Sequence, residues 1–156
     1  MTKLILITGI SRGLGYVLTE KFIQEGHTVI GCARSQTIVE KLTHRFGNPH
    51  NFAVVDVADE GQVKAWAEDI LKEYEPPDLL INNAAIANHP ALLWEVPSEE
   101  FSQLIDINII RSGAYNPLFC TRNDRKAAWD YCQLKFQLGT FNFTPSCTLL
   151  CFKMGN

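Results

Sequence analysis

KLILITGISRGLG, residues Lys3 to Gly15, decides how the rest of the chain is read. Leu4, Ile5, Leu6 and Ile7 form a short apolar run that fits a strand buried on both faces, as in a parallel sheet. Thr8 leads into Gly9-Ile10-Ser11-Arg12-Gly13-Leu14-Gly15, after which Leu14, Val17, Leu18 and Phe22 recur at helical spacing. A glycine loop joining a strand to a helix is an anion site. Small residues let backbone N–H groups approach a phosphate, and the helix N-terminus adds a positive dipole end. Gly9 permits the sharp exit from the strand, Gly13 lets a pyrophosphate approach the backbone, and Gly15 lets the helix pack closely on the sheet. The spacing is G-x-x-x-G-x-G, not the tighter G-x-G-x-x-G of the commonest dinucleotide fingerprint.

Working outward, the first helix is expected from about Leu14 to Glu25, with Gly26 as its C-terminal stop. Thr28 to Ala33 reads as the second strand, followed by Arg34. In dinucleotide folds an acidic side chain at the end of this strand accepts from the ribose 2′-OH, whereas an arginine suits a 2′-phosphate. No Asp or Glu occurs between Gly26 and Val39, so Arg34, helped by Arg12, points to NADP(H) over NAD(H); the other reading of Arg34 is a solvated loop residue. Ser35 is placed to cap a helix carrying Ile38, Val39, Leu42 and Phe46, which Gly47-Asn48-Pro49 ends. Asn51 to Val55 is the third strand, closed by Asp56-Val57, and Asp56 also reads as a helix-start residue.

Asp59 begins a helix with Val63, Trp66, Ala67, Ile70, Leu71 and Tyr74 at i, i+3, i+4 spacing, stopped by Pro76-Pro77. Asp78 to Ile81 is the fourth strand, followed by Asn82-Asn83-Ala84-Ala85. The two asparagines can hold neighbouring loops or line a nucleotide crevice outside the strand end. Ile86 to Pro97 has no clear pattern. Ser98 then caps a helix in which Phe101, Ile105 and Asn108 share a face, so Asn108 sits as a polar residue on an apolar stripe. The order βαβαβαβα predicts the first half of an α/β, doubly wound parallel sheet of Rossmann type.

These motifs resemble the short-chain dehydrogenase/reductase family over about the first 110 residues. Thr8, Gly9, Gly13 and Gly15 match its T-G-x-x-x-G-x-G loop. Asn82-Asn83-Ala84-Ala85 is similar to its N-N-A-G element, with Ala85 in place of the glycine. Asp106-Ile107-Asn108 is similar to its D-x-N context. The resemblance implies a cofactor site of Thr8, Gly9, Ser11, Arg12, Gly13, Leu14, Gly15, Arg34, Asp56, Val57, Asn82, Asn83 and Ala84, with Asp56 beside the adenine. It implies a catalytic-site Asn108 that positions a water and the catalytic lysine. It also implies hydride transfer between a nicotinamide and a small carbonyl or alcohol substrate, and a homo-oligomer or pairing with a full-length homologue through the helix of Phe101 to Asn108.

Composition agrees with one globular domain: 156 residues, 46% hydrophobic, net charge −3. That charge points to neither nucleic acid nor an anionic membrane as partner, and no apolar run is long enough to span a bilayer. With no signal peptide visible, a cytoplasmic, reducing location is the expectation. The 5 cysteines include no C-x-x-C pair, no metal site is expected, and four of them follow Asn108.

Residues 111–156 break the pattern, leaving the C-terminal half of the fold incomplete beside the 1–110 half-domain. No strand–helix alternation continues there, and no partner strand for the fourth strand is expected. The family should supply a strand ending in a catalytic Ser, then Tyr-x-x-x-Lys on a helix. Tyr131 and Lys135 have that spacing, but they follow Asn108 too closely, no Ser lies between Ser112 and Tyr131, and the flanks Trp129-Asp130 and Cys132-Gln133 do not resemble the family's small-residue context. Codons allow a different reading. One nucleotide later, Trp129 to Gln133 can encode Gly-Ile-Ile-Val-Asn, Leu134 to Leu138 can continue as Ser-Ser-Ser-Ser-Trp, and Cys147 to Gly155 can encode Ala-Pro-Tyr-Cys-Ala-Ser-Lys-Trp-Ala. The tail is therefore expected to be an out-of-frame or alternatively spliced product starting near Ile109, leaving either a reductase impaired as written, a non-catalytic NADP(H)-binding or dimerising fragment, or a non-functional truncated product. Sequencing gene and transcript from the Ile105 codon to the stop checks this: one inserted or deleted base should restore both shifted motifs, and failure of every single shift sinks it.

Overall fold

The computed structural model describes residues 1–87, 91–111, 114, 116–119, 130–136 and 147–153. Its sheet comprises β1 (Leu4–Thr8), β2 (Thr28–Ala33), β3 (Asn51–Val54), β4 (Leu79–Asn82), β5 (Asp130–Phe136) and β6 (Cys147–Lys153), in the order β3-β2-β1-β4-β5-β6. The pairs from β3 through β5 are parallel, and β6 runs antiparallel to β5. The strand order reverses between β1 and β4, and the crevice outside the C-terminal ends of those strands is where a doubly wound sheet takes its ligand.

Both faces of β1 are covered, which is why it reads as a continuous apolar run. Alternate residues of one strand go to opposite layers. Ile5 and Ile7 join Val29, Phe52 and Ile81 beneath α1 (Gly13–Gln24) and α2 (Gln36–Phe46). Leu6 joins Ile30, Cys32 and Leu80 against Val63, Trp66, Ala67 and Ile70 of α3 (Glu60–Glu73). Phe119 closes this second layer, edge-on to Trp66 with ring centroids 5.6 Å apart.

Helix boundaries follow local chemistry with some shifts. Asp59 caps α3 by accepting from Gln62 N–H at 3.1 Å, whereas Ser35 caps α2 without a side-chain hydrogen bond. The fourth helix, α4 (Ser98–Ile105), starts one residue before expectation, with Pro97 as its cap and Ser98 already helical. It also ends early, because Asp106–Arg111 forms a π-helical segment. A π turn widens the spacing from i+4 to i+5, so the expected stripe through Phe101, Ile105 and Asn108 is broken. Phe101 is exposed instead.

The expectation that residues beyond 110 offer β4 no partner is overturned. β5 pairs with β4 from Leu79 opposite Asp130 to Asn82 opposite Gln133, and β6 covers β5 along all seven of its residues. A ladder needs extended backbone rather than a particular helix to follow. Cys132, Leu134 and Phe136 carry the period-2 signal, which the loss of strand–helix alternation obscured. The apolar edge of β4 is thereby paired rather than left as an aggregation template.

Thr8 joins the ends of β1 and β4. Its Oγ1 accepts from Asn83 N–H at 3.1 Å and Ala84 N–H at 3.0 Å, while Asn83 Nδ2 donates to the carbonyls of Thr8 (3.0 Å) and Gly9 (2.9 Å). A Thr8→Val variant keeps the shape but strands the Ala84 N–H and leaves the Asn83 N–H only its bond to the Ile81 carbonyl, so chemical denaturation should show a loss of about 1–3 kcal/mol. Thr8→Ser keeps the oxygen and should stay within about 1 kcal/mol of the parent.

Candidate functional site

The crevice at the strand ends is a cleft of about 680 Å³. Its walls bring together ten of the residues expected to hold a cofactor: Gly9, Ser11, Arg12, Gly13, Leu14, Arg34, Asp56, Val57, Asn83 and Ala84. Thr8, Gly15 and Asn82 are not on the wall. Thr8 and Gly15 are buried behind it and hold its shape, and Asn82 is buried at the end of β4.

The glycine loop is close because side chains are missing where backbones meet. A Cβ at Gly9 would stand 2.7 Å from Ala84 Cα, and one at Gly15 would collide with the Gly9 carbonyl and Asn83 Nδ2. Gly9 also has φ +75°, a conformation open to glycine at little cost. Beyond the loop, α1 presents its first turn with no acidic residue, so nothing opposes the positive end of its dipole. Arg12 and Arg34 are both exposed at the cleft. The geometry suits a phosphate-bearing ligand: amides and a helix end at one side, guanidinium groups beside them.

Asp56 is not the helix-start residue, since Asp59 caps α3, and it lies in the turn before that helix. Its Oδ1 accepts from Ala58 N–H at 2.9 Å, a turn-forming bond, and the residue still lines the cleft. Cys32 borders the cleft too, with its side chain wholly buried in the layer beneath α3. Burial pushes its pKa up to about 12, with the Asp56 charge adding to the rise against a Gly9 backbone hydrogen bond that lowers it. It thus packs as a small, buried apolar side chain.

Asn108 lies in the π-helical segment, and its amide is committed at both ends to one residue. Oδ1 accepts from Ile86 N–H at 3.0 Å and Nδ2 donates to Ile86 O at 2.8 Å. Ile86 and Ile107 line the cleft, and Asn108 itself does not. Its side chain therefore fixes the loop after β4, which makes it a positioning residue here. Sequence reasoning missed part of this wall: Ile86 and Ala87 come from a stretch without pattern, and only the N-N-A-A run ending at Ala85 just before it marked the place.

Tyr131 and Lys135 are on β5. Four residues along a strand span about 13 Å, against about 6 Å for one turn of helix. The spacing that would let a lysine serve a tyrosine on one helix face is not realised. Among the described residues, no group of three or more His, Cys, Asp or Glu is placed to hold a metal ion, and no helix is long and apolar enough to cross a membrane.

Comparison with known proteins matches this geometry. The sequence profile of the short chain dehydrogenase family aligns with residues 3–115. The NADPH-dependent pterin aldehyde reductase of Arabidopsis thaliana is 37% identical over 109 residues, 69% of this chain and 45% of that protein. A 3-oxoacyl-[acyl-carrier-protein] reductase of Chlamydia trachomatis is 33% identical over 113 residues, 70% of this chain and 45% of its own length. The chain thus spans about half the length of the curated relatives it matches. Among solved structures, a short-chain dehydrogenase of Streptomyces avermitilis superposes with a TM-score of 0.70 at 26% identity, over 76% of this chain and 43% of its own. ElxO with NADP bound gives 0.68 at 28% identity, over 76% and 49%. With the profile spanning the strands, loop and cleft built above, this chain belongs to the short-chain dehydrogenase family.

Proposed function

We propose that the chain binds NADP(H) in the cleft between the glycine loop, Arg34 and Asn83, as the cofactor half of a carbonyl or alcohol oxidoreductase. The observation that carries this is the pairing of a side-chain-free loop with Arg34 at the end of β2, where no carboxylate follows the strand. NADP-bound and NADPH-dependent relatives support the same preference. The amides from Ser11 to Gly15 at the start of α1 would hold the pyrophosphate, Arg34 and Arg12 the 2′-phosphate, and Asp56-Val57 the adenine side. Bound there, the cofactor supplies hydride transfer to or from a carbonyl carbon. Asn108 contributes by fixing Ile86 at the cleft wall.

Turnover is proposed to be very low. The family's acid/base tyrosine needs a lysine one helical turn away, and Tyr131 and Lys135 lie along a strand. The codon pattern of the tail supports an out-of-frame origin for residues 111–156, with the motifs of the catalytic half in the neighbouring frame. A second reading, a non-catalytic fragment that pairs with a full-length homologue in the cytoplasm, is favoured by exposed Phe101, Ile109 and Ile110 on and beyond α4. NADPH fluorescence titration of the purified chain tests the main reading. NADPH should bind more tightly than NADH, and Arg34→Ala should weaken NADPH by about tenfold or more while sparing NADH. Equal affinity for the two cofactors overturns the preference, and turnover of carbonyl substrates at ordinary rates, about 1 per second or faster, overturns the inactivity.

A further inference from the structure

The glycine loop is tied to β2 as well as to β4. Two successive amides, Gly9 N–H and Ile10 N–H, donate to the single carbonyl oxygen of Cys32, at 2.9 and 3.1 Å. Between this tie and Ser11 the Ile10 side chain turns into the core. It is wholly buried, in the layer that holds Ile7, Val29, Ala33 and Val39. Beneath it is Gly31, a buried residue in the middle of β2. A Cβ there would stand 2.7 Å from Ile10 Cδ1 and 2.9 Å from Ile10 Cγ2.

Gly31 needs explaining. Its φ is not in the left-handed region, so the backbone does not require glycine. Glycine inside a strand is unfavourable, and a buried central strand ordinarily takes a β-branched residue. The gap it leaves is filled by a side chain from the loop. Ile10 is β-branched and stiff at χ1, and its neighbours are close-packed, so it cannot turn aside without moving its own backbone.

We propose that Ile10 and Gly31 form a latch that sets how deeply the glycine loop sits on the sheet, which makes Ile10 a positioning residue for the cofactor's phosphates although it does not line the cleft. The latch acts through the backbone of Ser11 to Gly13, which does line it. The ligand in this inference rests on the NADP(H) reading; the latch rests on packing alone.

Two readouts separate them: NADPH affinity by fluorescence, and hydrogen exchange at the Gly9 and Ile10 amides of the cofactor-free chain by NMR. Gly31→Ala should weaken NADPH by about tenfold, the usual scale of an overpacked contact, and speed exchange at those two amides while leaving Leu6 and Ile7 in β1 unchanged. Adding Ile10→Ala to Gly31→Ala clears the space and should bring both readouts back toward the parent, a rescue that general destabilisation does not produce. No change in exchange on Gly31→Ala, or no rescue by the second substitution, overturns the latch. Should Gly31→Ala fail to fold, Ile10→Val, which deletes the Cδ1 nearest Gly31, decides in its place: faster exchange at the same two amides supports the latch, and unchanged exchange overturns it. If the parent chain binds no NADPH, the cofactor reading falls, and exchange alone decides the latch.

Discussion

The rest of the structure depends on a shortage of space at the ends of β1 and β4. Gly9, Gly15, Asn83 and Ala84 meet so closely that a single methyl group on either glycine would meet backbone or amide atoms. Because no side chain intervenes, the Thr8 hydroxyl and the Asn83 amide can span from one strand end to the other with four hydrogen bonds. Buried polar groups are tolerated only when paired, so each of these bonds also fixes the geometry of the others. The cleft is the outer face of that junction. Its shape follows from what holds the two central strands together.

The same reasoning explains how half of a family fold can have an ordered cofactor side. The four strands that carry the glycine loop, Arg34, Asp56 and Asn83 are contributed by the first 82 residues, and the two core layers close on them with α1, α2 and α3. The catalytic side of the family's site is another matter. It requires a helix that presents a tyrosine and a lysine together, and Tyr131 and Lys135, which have that spacing, lie on a strand. Asn108 belongs to the part that persists, its amide bonded to the backbone of Ile86.

Much of this was legible from residue pattern. Leu4 to Ile7, the glycine spacing and the amphipathic run from Val63 to Ile70 are local signals, and local signals survive the change from sequence to structure. The parallel, doubly wound class of the sheet followed from them, and the ten cleft residues from the family resemblance they carry. Three features did not. The π turn at Asp106 is a backbone adjustment with no side-chain signature, so the helix of Phe101 was read as continuing to Asn108. β5 was missed because its pairing is non-local and its alternation stands in a stretch of otherwise unpatterned sequence. Ile10 looked like a spacer in a glycine motif, and only the contact with Gly31, twenty-one residues away, gives it a role.

The central claim is the proposal that the β1–β4 junction of this chain builds a dinucleotide-binding cleft. Titrating NADPH into the isotope-labelled chain and following backbone amide shifts tests it most directly. The account predicts saturable shifts concentrated at Gly9 to Gly15, Arg34, Asp56, Val57 and Asn83 to Ala87, the residues that the strand ends bring together. Saturation with shifts elsewhere, or none at all in a folded chain, would contradict it.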